Sequence, residues 1–268
     1  MTPELHFRVS VAVALALASA VTTLGPMAVA LWWSRRSGAS MSVWGAGALV
    51  FVVSQCVLRL PWQIPLGIWM GPRIHGSRGL SFAWIAASSL TAGLFEEVGR
   101  WGGYRWLVKK ERTYRTGVMF GLGHGGMESM LLVGLSFFGS LVTYVLVATS
   151  PSLLKLPPQA LDKVVTAMSS LGPWDFVAGV VERAMALTFH VACSLVVLRC
   201  FVGGSKRWLA LAVGMHFVAD FVAVGGAVEL KAYGALVAET AGIPMFLVSI
   251  GVIVWTRRRL GAPVPASS

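Results

Sequence analysis

The chain has 268 residues, of which 56% are hydrophobic and only 12% are charged, and its mean hydropathy is +0.74. A soluble domain carries about 25% charged residues, so this composition excludes a water-soluble globule and a disordered chain. The net charge of +11 does not indicate a nucleic-acid partner, because acidic residues are scarce and the basic residues cluster in short loops. The three cysteines form no CxxC pair, so neither a disulfide framework nor a zinc finger is expected.

Seven apolar stretches approach the length of about 20 residues that a helix needs to cross a bilayer. They predict an all-α integral membrane protein, a bundle of about seven transmembrane helices, with spans at 9–33, 41–61, 80–108, 115–147, 173–200, 206–227 and 235–256. The first stretch is too long for the apolar part of a signal peptide and is therefore predicted to remain as a span. Residues 1–268 are expected to form a single polytopic domain that ends in a flexible tail at 260–268.

The basic residues predict the orientation of this bundle. Alternating loops place 12 of the 22 lysines and arginines on one side and 7, including Arg59, on the other. Since positively charged loops remain in the cytoplasm, we expect a cytoplasmic-membrane protein with its N-terminus outside and its C-terminus inside. Two longer outer segments follow from this topology, a re-entrant or interfacial segment at 61–79 and a loop at 148–172 with a short amphipathic helix.

Ionisable side chains are costly in hydrocarbon, yet four of the predicted spans contain them. The candidate site residues are Glu96, Glu97 and Arg100 in the third span, His124 and Glu128 in the fourth, His190 in the fifth, and His216 and Asp220 in the sixth. Residues four apart share a helix face, and at 1.5 Å per residue Glu97 and the three histidines lie roughly 14–18 Å from the cytoplasmic ends. Four helices are therefore predicted to bring a carboxylate pair and three imidazoles to one level.

Simpler interpretations of these residues remain open. An intramembrane histidine often forms a hydrogen bond between helices, and Glu96 with Arg100 can be an internal ion pair. The adjacent Glu182 and Arg183 are equally compatible with a structural and a gating role. The glycines around His124 indicate either close helix packing or a loosened helix with room for water or a peptide.

Buried carboxylates and neutral histidines around a wet cavity suit the activation of water. Amide hydrolysis needs a base, an oxyanion donor and a positioned water, and these residue types supply all three. The histidines are also potential zinc ligands. The sequence has no HExxH, GxGD or GxSG motif, so the common zincin, aspartyl and serine chemistries of intramembrane proteolysis are not expected.

The motifs Glu96-Glu97-x-x-Arg100, His124-Gly125-Gly126-Met127-Glu128, His190 and His216-x-x-x-Asp220 resemble the YhfC family of bacterial intramembrane proteases, which is related to the CAAX-protease and bacteriocin-processing (CPBP) group. The resemblance covers a protease-like core at about 81–225, after N-terminal spans at 9–61 and before a C-terminal span at 235–256. It implies a glutamic-type or metal-dependent peptidase that cleaves a membrane-associated peptide or protein.

The resemblance also implies roles for the residues. A glutamate of the pair would be the general base, with Glu96 preferred, His124 would position the water, and His216 with Asp220 would supply the oxyanion donor. His190 would be a third site histidine, and Arg100 would tune the carboxylates. If zinc is present, His124, His190 and His216 would hold it. The related group has three residues between the glutamate pair and the arginine, whereas this chain has two, so the choice between Glu96 and Glu97 stays open.

Two other functions use the same polar residues. Buried His, Glu and Asp also form the proton relays of coupled transporters, although the chain shows neither the internal repeat nor the paired broken helices of many carriers. A non-catalytic membrane scaffold is the second alternative.

Overall fold

The computed structural model describes residues 6–230, 233–234, 237 and 239–260, and most of these residues are helical with no strand among them. The predicted all-α membrane bundle is confirmed. In chain order the helices are α1 (Val9–Ser37), α2 (Met41–Phe51), α3 (Leu60–His75), α4 (Arg78–Gly102), α5 (Tyr114–Glu128), α6 (Leu135–Thr149), α7 (Pro158–Ser170), α8 (Pro173–Val202), α9 (Arg207–Leu230) and α10 (Ile243–Leu260).

Six continuous helical runs among the described residues are long and apolar enough to cross a membrane. They are Val9–Ser37, Met41–His75, Tyr114–Thr149, Pro173–Val202, Arg207–Leu230 and Thr240–Leu260. The third predicted span corresponds to α4, whose 25 residues are long enough but whose Glu96, Glu97 and Arg100 lower its hydropathy. Exposed leucines and valines along α1 form the kind of apolar surface that lipid chains solvate.

The structure differs from the sequence prediction at residues 61–79, which were expected to form a re-entrant or interfacial segment after the second span. Instead, α2 continues into α3 through a π-helical segment, Val52–Arg59, as one run of 35 residues. Pro61 lies at the junction of the π-helical segment and α3, and Pro65 and Pro72 follow inside α3. Prolines are tolerated within membrane helices, where local π or 3₁₀ adjustments satisfy the freed backbone groups, so they do not end the run.

The remaining boundaries agree with the prediction where the structure describes them. The short helix expected in the loop 148–172 is α7, and it follows a 3₁₀ turn at Pro151–Leu154. The described part of the last predicted span is a 3₁₀ turn at Thr240–Gly242 followed by α10. Residues 235, 236 and 238 of that span, and residues 261–268 of the predicted tail, lie outside the described residues.

Helix α5 lies at the centre of the bundle and packs against α1, α2 and α8, while α4 packs against α9. The glycines of α5 allow its neighbours to approach closely. A Cβ atom at Gly123 would lie 2.0 Å from the carbonyl oxygen of Trp44 in α2, and one at Gly125 would lie 2.8 Å from Cβ of His190 in α8. The glycines around His124 are therefore used for close helix packing, which is the first of the two interpretations that the sequence left open.

Three π-helical segments interrupt the α-helices close to the predicted site residues. They are Val52–Arg59, Gly103–Leu107 and Ser129–Gly134. The second segment begins three residues after Arg100, and the third begins directly after Glu128. Such segments shift the register of a helix and occur frequently at functional sites, so the irregular backbone is concentrated around one region of the bundle.

Candidate active site

Six of the eight predicted site residues are buried together between α4, α5, α8 and α9. These residues are Glu96, Glu97, Arg100, His124, His190 and His216. No side chain among them is more than 5% exposed. Residues separated by as many as 120 positions therefore meet in one place, as the common depth along the four helices indicated.

Glu96 lies at the centre of this cluster, with three imidazoles around one of its oxygens. Its Oε2 is 2.9 Å from Nε2 of His124, 3.7 Å from Nε2 of His216 and 3.8 Å from Nδ1 of His190. The guanidinium of Arg100 lies 4.0 Å from the same oxygen. One carboxylate oxygen thus faces ring nitrogens from three different helices.

The other oxygen of Glu96 is held by a residue that the sequence analysis missed. The amide nitrogen of Gln55 donates to Oε1 of Glu96, and Oε1 of Gln55 accepts a 2.8 Å hydrogen bond from Arg59. Arg59 also donates to the carbonyl oxygen of Ser88 in α4, at 2.7 Å. The signal in the sequence was a glutamine and an arginine four residues apart on one face of the second span.

The position of Arg59 corrects the sequence analysis, which counted it among the basic residues of the outer loops. Arg59 is 9% exposed and lies between the π-helical segment and α4. Arginine can occupy this position because its guanidinium is hydrogen-bonded to Gln55 and Ser88 rather than to water.

Glu97 differs from its neighbour because one guanidinium binds both of its oxygens. Arg100 donates to Glu97 through Nε at 3.0 Å and through Nη2 at 3.2 Å, and Nδ1 of His216 lies 2.7 Å from Oε1. The remaining guanidinium nitrogen, Nη1 of Arg100, donates to Oγ of Ser194 at 2.7 Å. Glu97 therefore joins α4 to α9 and orients Arg100, while Ser194 is a second participant that the sequence did not indicate.

Glu128 joins the cluster through His190. Its Oε2 lies 2.6 Å from Nε2 of His190, and its Oε1 accepts a 2.8 Å hydrogen bond from Arg183. Arg183 also donates to Glu182, so one guanidinium compensates two carboxylates. This supports an electrostatic role for Arg183, which the sequence left ambiguous.

Asp220 lies at the edge of the cluster and is less closely paired than its spacing from His216 indicated. Its Oδ2 is 3.7 Å from Nε2 of His216, which exceeds hydrogen-bond length, and its side chain is 36% exposed. Asp220, Glu128 and His190 line a cavity of about 430 Å³ between α8, α9 and α10, which we call the site cavity. Its other walls are mostly apolar and include Met185 and Phe246.

Two groups of side chains have the composition and spacing of metal ligands. Glu96, His124 and His190 each offer an atom within 4.8 Å of the others, and so do Glu97, Cys193 and His216. The three histidines predicted as zinc ligands are thus divided between both groups, and Cys193, to which the sequence analysis gave no site role, joins the second group.

An unpaired ring nitrogen supports the fit of a metal to these residues. Among the described residues, Nδ1 of His124 is buried without a hydrogen-bond partner. Imidazole nitrogens and carboxylate oxygens are the donors that Zn²⁺ takes in catalytic sites. The imidazoles beside Glu96 are therefore donors that suit a divalent metal of this kind.

Comparison of the sequence with known proteins assigns the chain to a family. The family model described as YhfC intramembrane metalloprotease matches residues 21–237. The chain belongs to the YhfC family. It is 30% identical over 230 residues to a Bacillus subtilis (strain 168) protein described as "Uncharacterized membrane protein YhfC", and the match covers 78% of this chain and 83% of that relative. No solved structure matches the chain.

Membership of the YhfC family confirms the resemblance drawn from the motifs around Glu96, His124 and His216. The chain is a multi-pass membrane protein, and the description of its family indicates a protease. The family description does not favour the alternative function, a proton-coupled transporter that uses the same buried polar residues.

Proposed function

We propose that this protein is an intramembrane endopeptidase in which Glu96 activates the water that attacks a peptide bond of a membrane-associated substrate. One observation carries the proposal, namely that ring nitrogens of three helices lie within 3.8 Å of Oε2 of Glu96. Gln55 fixes the other oxygen. A carboxylate held in this way, among groups that can position a water, is suited to accept a proton as a general base.

The contacts of Glu97 support the choice of Glu96 as the base. Glu97 is bound through both oxygens by the guanidinium of Arg100 and lies 2.7 Å from His216, whereas Arg100 approaches Glu96 only to 4.0 Å. We assign Glu97 a positioning role, in which it orients the imidazole of His216. Glu128 has the corresponding role for His190, whose Nε2 it contacts.

These carboxylate contacts also support histidine ligation of a metal. Histidines that bind a metal usually donate their other ring N–H to a carboxylate or a carbonyl. His216 contacts Glu97 through Nδ1, which leaves Nε2 for the site. His190 contacts Glu128 through Nε2, and its Nδ1 faces Glu96 at 3.8 Å and lies 3.2 Å from Nη2 of Arg100, a contact that a metal at Nδ1 would displace. In our proposal His124, His190 and His216 would hold a zinc ion, and zinc bound there would act as a Lewis acid on the peptide carbonyl.

The same groups supply the remaining roles of the hydrolysis. His124 lies 2.9 Å from Oε2 of Glu96 and positions the water beside it. In a site without zinc, His216, whose ring is fixed by Glu97 through Nδ1, would donate through Nε2–H to the oxyanion that forms at the peptide carbonyl. Asp220 lies next to His216 at the mouth of the site cavity and is placed to influence its charge rather than to react.

The site cavity is where the substrate would approach the reacting groups. It adjoins His190 and Asp220, and its apolar walls include Phe189 and Met245. An apolar peptide segment with a polar backbone matches such a lining. The substrate is therefore proposed to be a membrane-associated peptide or protein, cleaved in the half of the cytoplasmic membrane that lies nearer the cytoplasm.

A proteomic comparison tests the function and identifies the substrate in the same experiment. Membrane peptides are compared between cells that express the wild type, Glu96→Gln or Glu229→Gln, the last being a matched control at an exposed ion pair with Arg78. We expect cleavage products with the wild type and the control that are absent with Glu96→Gln. An identical set of peptides in all three would reject the proposal, and proton flux in liposomes without cleavage would favour the transporter.

A further inference from the structure

A second large cavity lies far from the reacting groups, at the end of the bundle that the positive-inside rule assigns to the cytoplasm. Its volume is about 820 Å³, and it lies where α1 ends, α5 begins and α10 ends. Arg36, Arg115 and Arg257, one from each of these helices, line it and are exposed. We call it the basic cavity.

The charge of the basic cavity is strongly unbalanced. Three arginines line it against a single acidic residue, Glu111, so its formal charge is 3 − 1 = +2. Arg115 donates to the carbonyl oxygen of Ser37 at 3.1 Å, which fixes its position. Within the described part of the chain, Arg36 and Arg257 make no hydrogen bond or ion pair through their guanidinium groups. Two exposed cationic groups therefore line the cavity without a partner among the described residues.

Aromatic side chains form the adjacent wall. Nε1 of Trp33 donates to the carbonyl oxygen of Arg115 at 3.1 Å, and its ring packs edge-on against Tyr114, so this wall is preformed between α1 and α5. Trp32 is 58% exposed beside it. Indole rings concentrate where lipid headgroups meet the hydrocarbon core, so the basic cavity adjoins both the headgroup layer and the apolar surface of the protein.

We propose that the basic cavity binds a phosphodiester anion, and specifically the headgroup of an anionic phospholipid. Guanidinium groups bind phosphate oxygens in a bidentate manner, and Arg36, Arg115 and Arg257 line the cavity from three different helices. The exposed indole of Trp32 provides an apolar surface for the glycerol and the first carbons of the acyl chains. Free phosphate shares the anionic chemistry but has no part that would use this surface.

Binding is measured on the full chain in a neutral detergent. Dihexanoyl-phosphatidylglycerol, dihexanoyl-phosphatidylcholine and inorganic phosphate are titrated separately, and bound chains are counted by native mass spectrometry. The test variant is Arg36→Gln/Arg257→Gln. The matched control is Arg35→Gln/Arg258→Gln, which removes the same charge from the same two helices at residues that do not line the cavity.

We expect the wild type to bind phosphatidylglycerol more tightly than the other two ligands. The cavity variant should bind it about thirtyfold more weakly, and the control should retain its affinity. Equal weakening in both variants, or equal affinity for the two lipids, would overturn the proposal. Binding of phosphate as tightly as phosphatidylglycerol would reject the lipid and leave a free phosphate as the ligand. Peptide cleavage is not the readout, so the outcome is independent of the proposed function.

Discussion

Oε1 of Glu97 lies 2.7 Å from Nδ1 of His216, although the two residues are 119 positions apart in the sequence. The same carboxylate accepts two hydrogen bonds from Arg100 within α4. Glu97 thus links α4 and α9 through buried charges, whereas its neighbour Glu96 directs one oxygen toward the imidazoles. This difference between adjacent glutamates is the basis of the roles that we propose for them.

The first prediction concerns the buried pair of Glu97 and Arg100. Arg100→Met leaves Glu97 buried without its cation, and removal of one partner from a buried ion pair lowers the free energy of unfolding by about 3–5 kcal/mol. Denaturant unfolding of the purified protein in detergent measures this loss. Arg78→Met removes the partner of Glu229 at an exposed pair and should change the free energy of unfolding by less than about 1 kcal/mol. Similar losses in the two variants would contradict the role of Arg100.

The second prediction concerns Gln55, which holds Oε1 of Glu96. Gln55→Leu keeps the size of the side chain but removes the hydrogen bonds to Glu96 and Arg59. Loss of such a supporting contact lowers activity by about 10- to 100-fold. We expect the decrease in kcat with KM nearly unchanged, because Gln55 does not line the site cavity. Gln63→Leu, on α3, is the matched control. A change confined to KM would show that Gln55 acts on substrate binding instead.

Much of the bundle and of the site could be predicted because charged residues are conspicuous in apolar segments. Glu97, His124, His190 and His216 stood out at one depth, and the helix periodicity placed Arg100, Glu128 and Asp220 on the same faces as Glu96, His124 and His216. The common depth was informative because the rise per residue is fixed in a helix.

Other residues could not be found from the sequence because their roles depend on which helices are neighbours. Gln55 and Ser194 are uncharged and unremarkable in a span, and they reach Glu96 and Arg100 only through contacts between helices. Arg59 lies near the predicted end of a span, where the sequence alone favours a solvated loop residue. Cys193 is one of three cysteines with no pattern, and only the packing of α8 places it beside Glu97.

The third prediction concerns the close contact between α5 and α8. Gly125→Val would force a side chain against Cβ of His190, since a Cβ atom there would lie 2.8 Å away. Overpacking of this kind lowers the free energy of unfolding by about 1–3 kcal/mol, and unfolding in detergent measures it. Gly139→Val is the matched control in α6, because no neighbouring atom lies within 4 Å of a Cβ atom there. Equal stability of the two variants would contradict the close packing of α5.

The fourth prediction concerns the metal. We expect the purified protein to retain about one zinc ion per chain, as one catalytic site would hold, and to lose both the metal and its activity when a strong chelator is added. His124→Ala should reduce the metal content, whereas His75→Ala, at the end of α3 and outside the cluster, should not. Elemental analysis of the three proteins provides the measurement. Full activity of the metal-free wild type would leave Glu96 and the histidines to act as hydrogen-bonding groups alone.

The most direct test of the account is the cleavage rate and the metal content of Glu96→Gln, measured together in proteoliposomes with a substrate identified by the proteomic comparison. Glutamine preserves the shape of Glu96 but cannot accept the proton of the attacking water, so we predict that the rate falls by about 10²- to 10⁴-fold while the metal content equals that of the wild type. Undiminished cleavage would contradict the assignment of Glu96 as the base, and so would loss of the metal from this variant, which would make Glu96 a ligand instead.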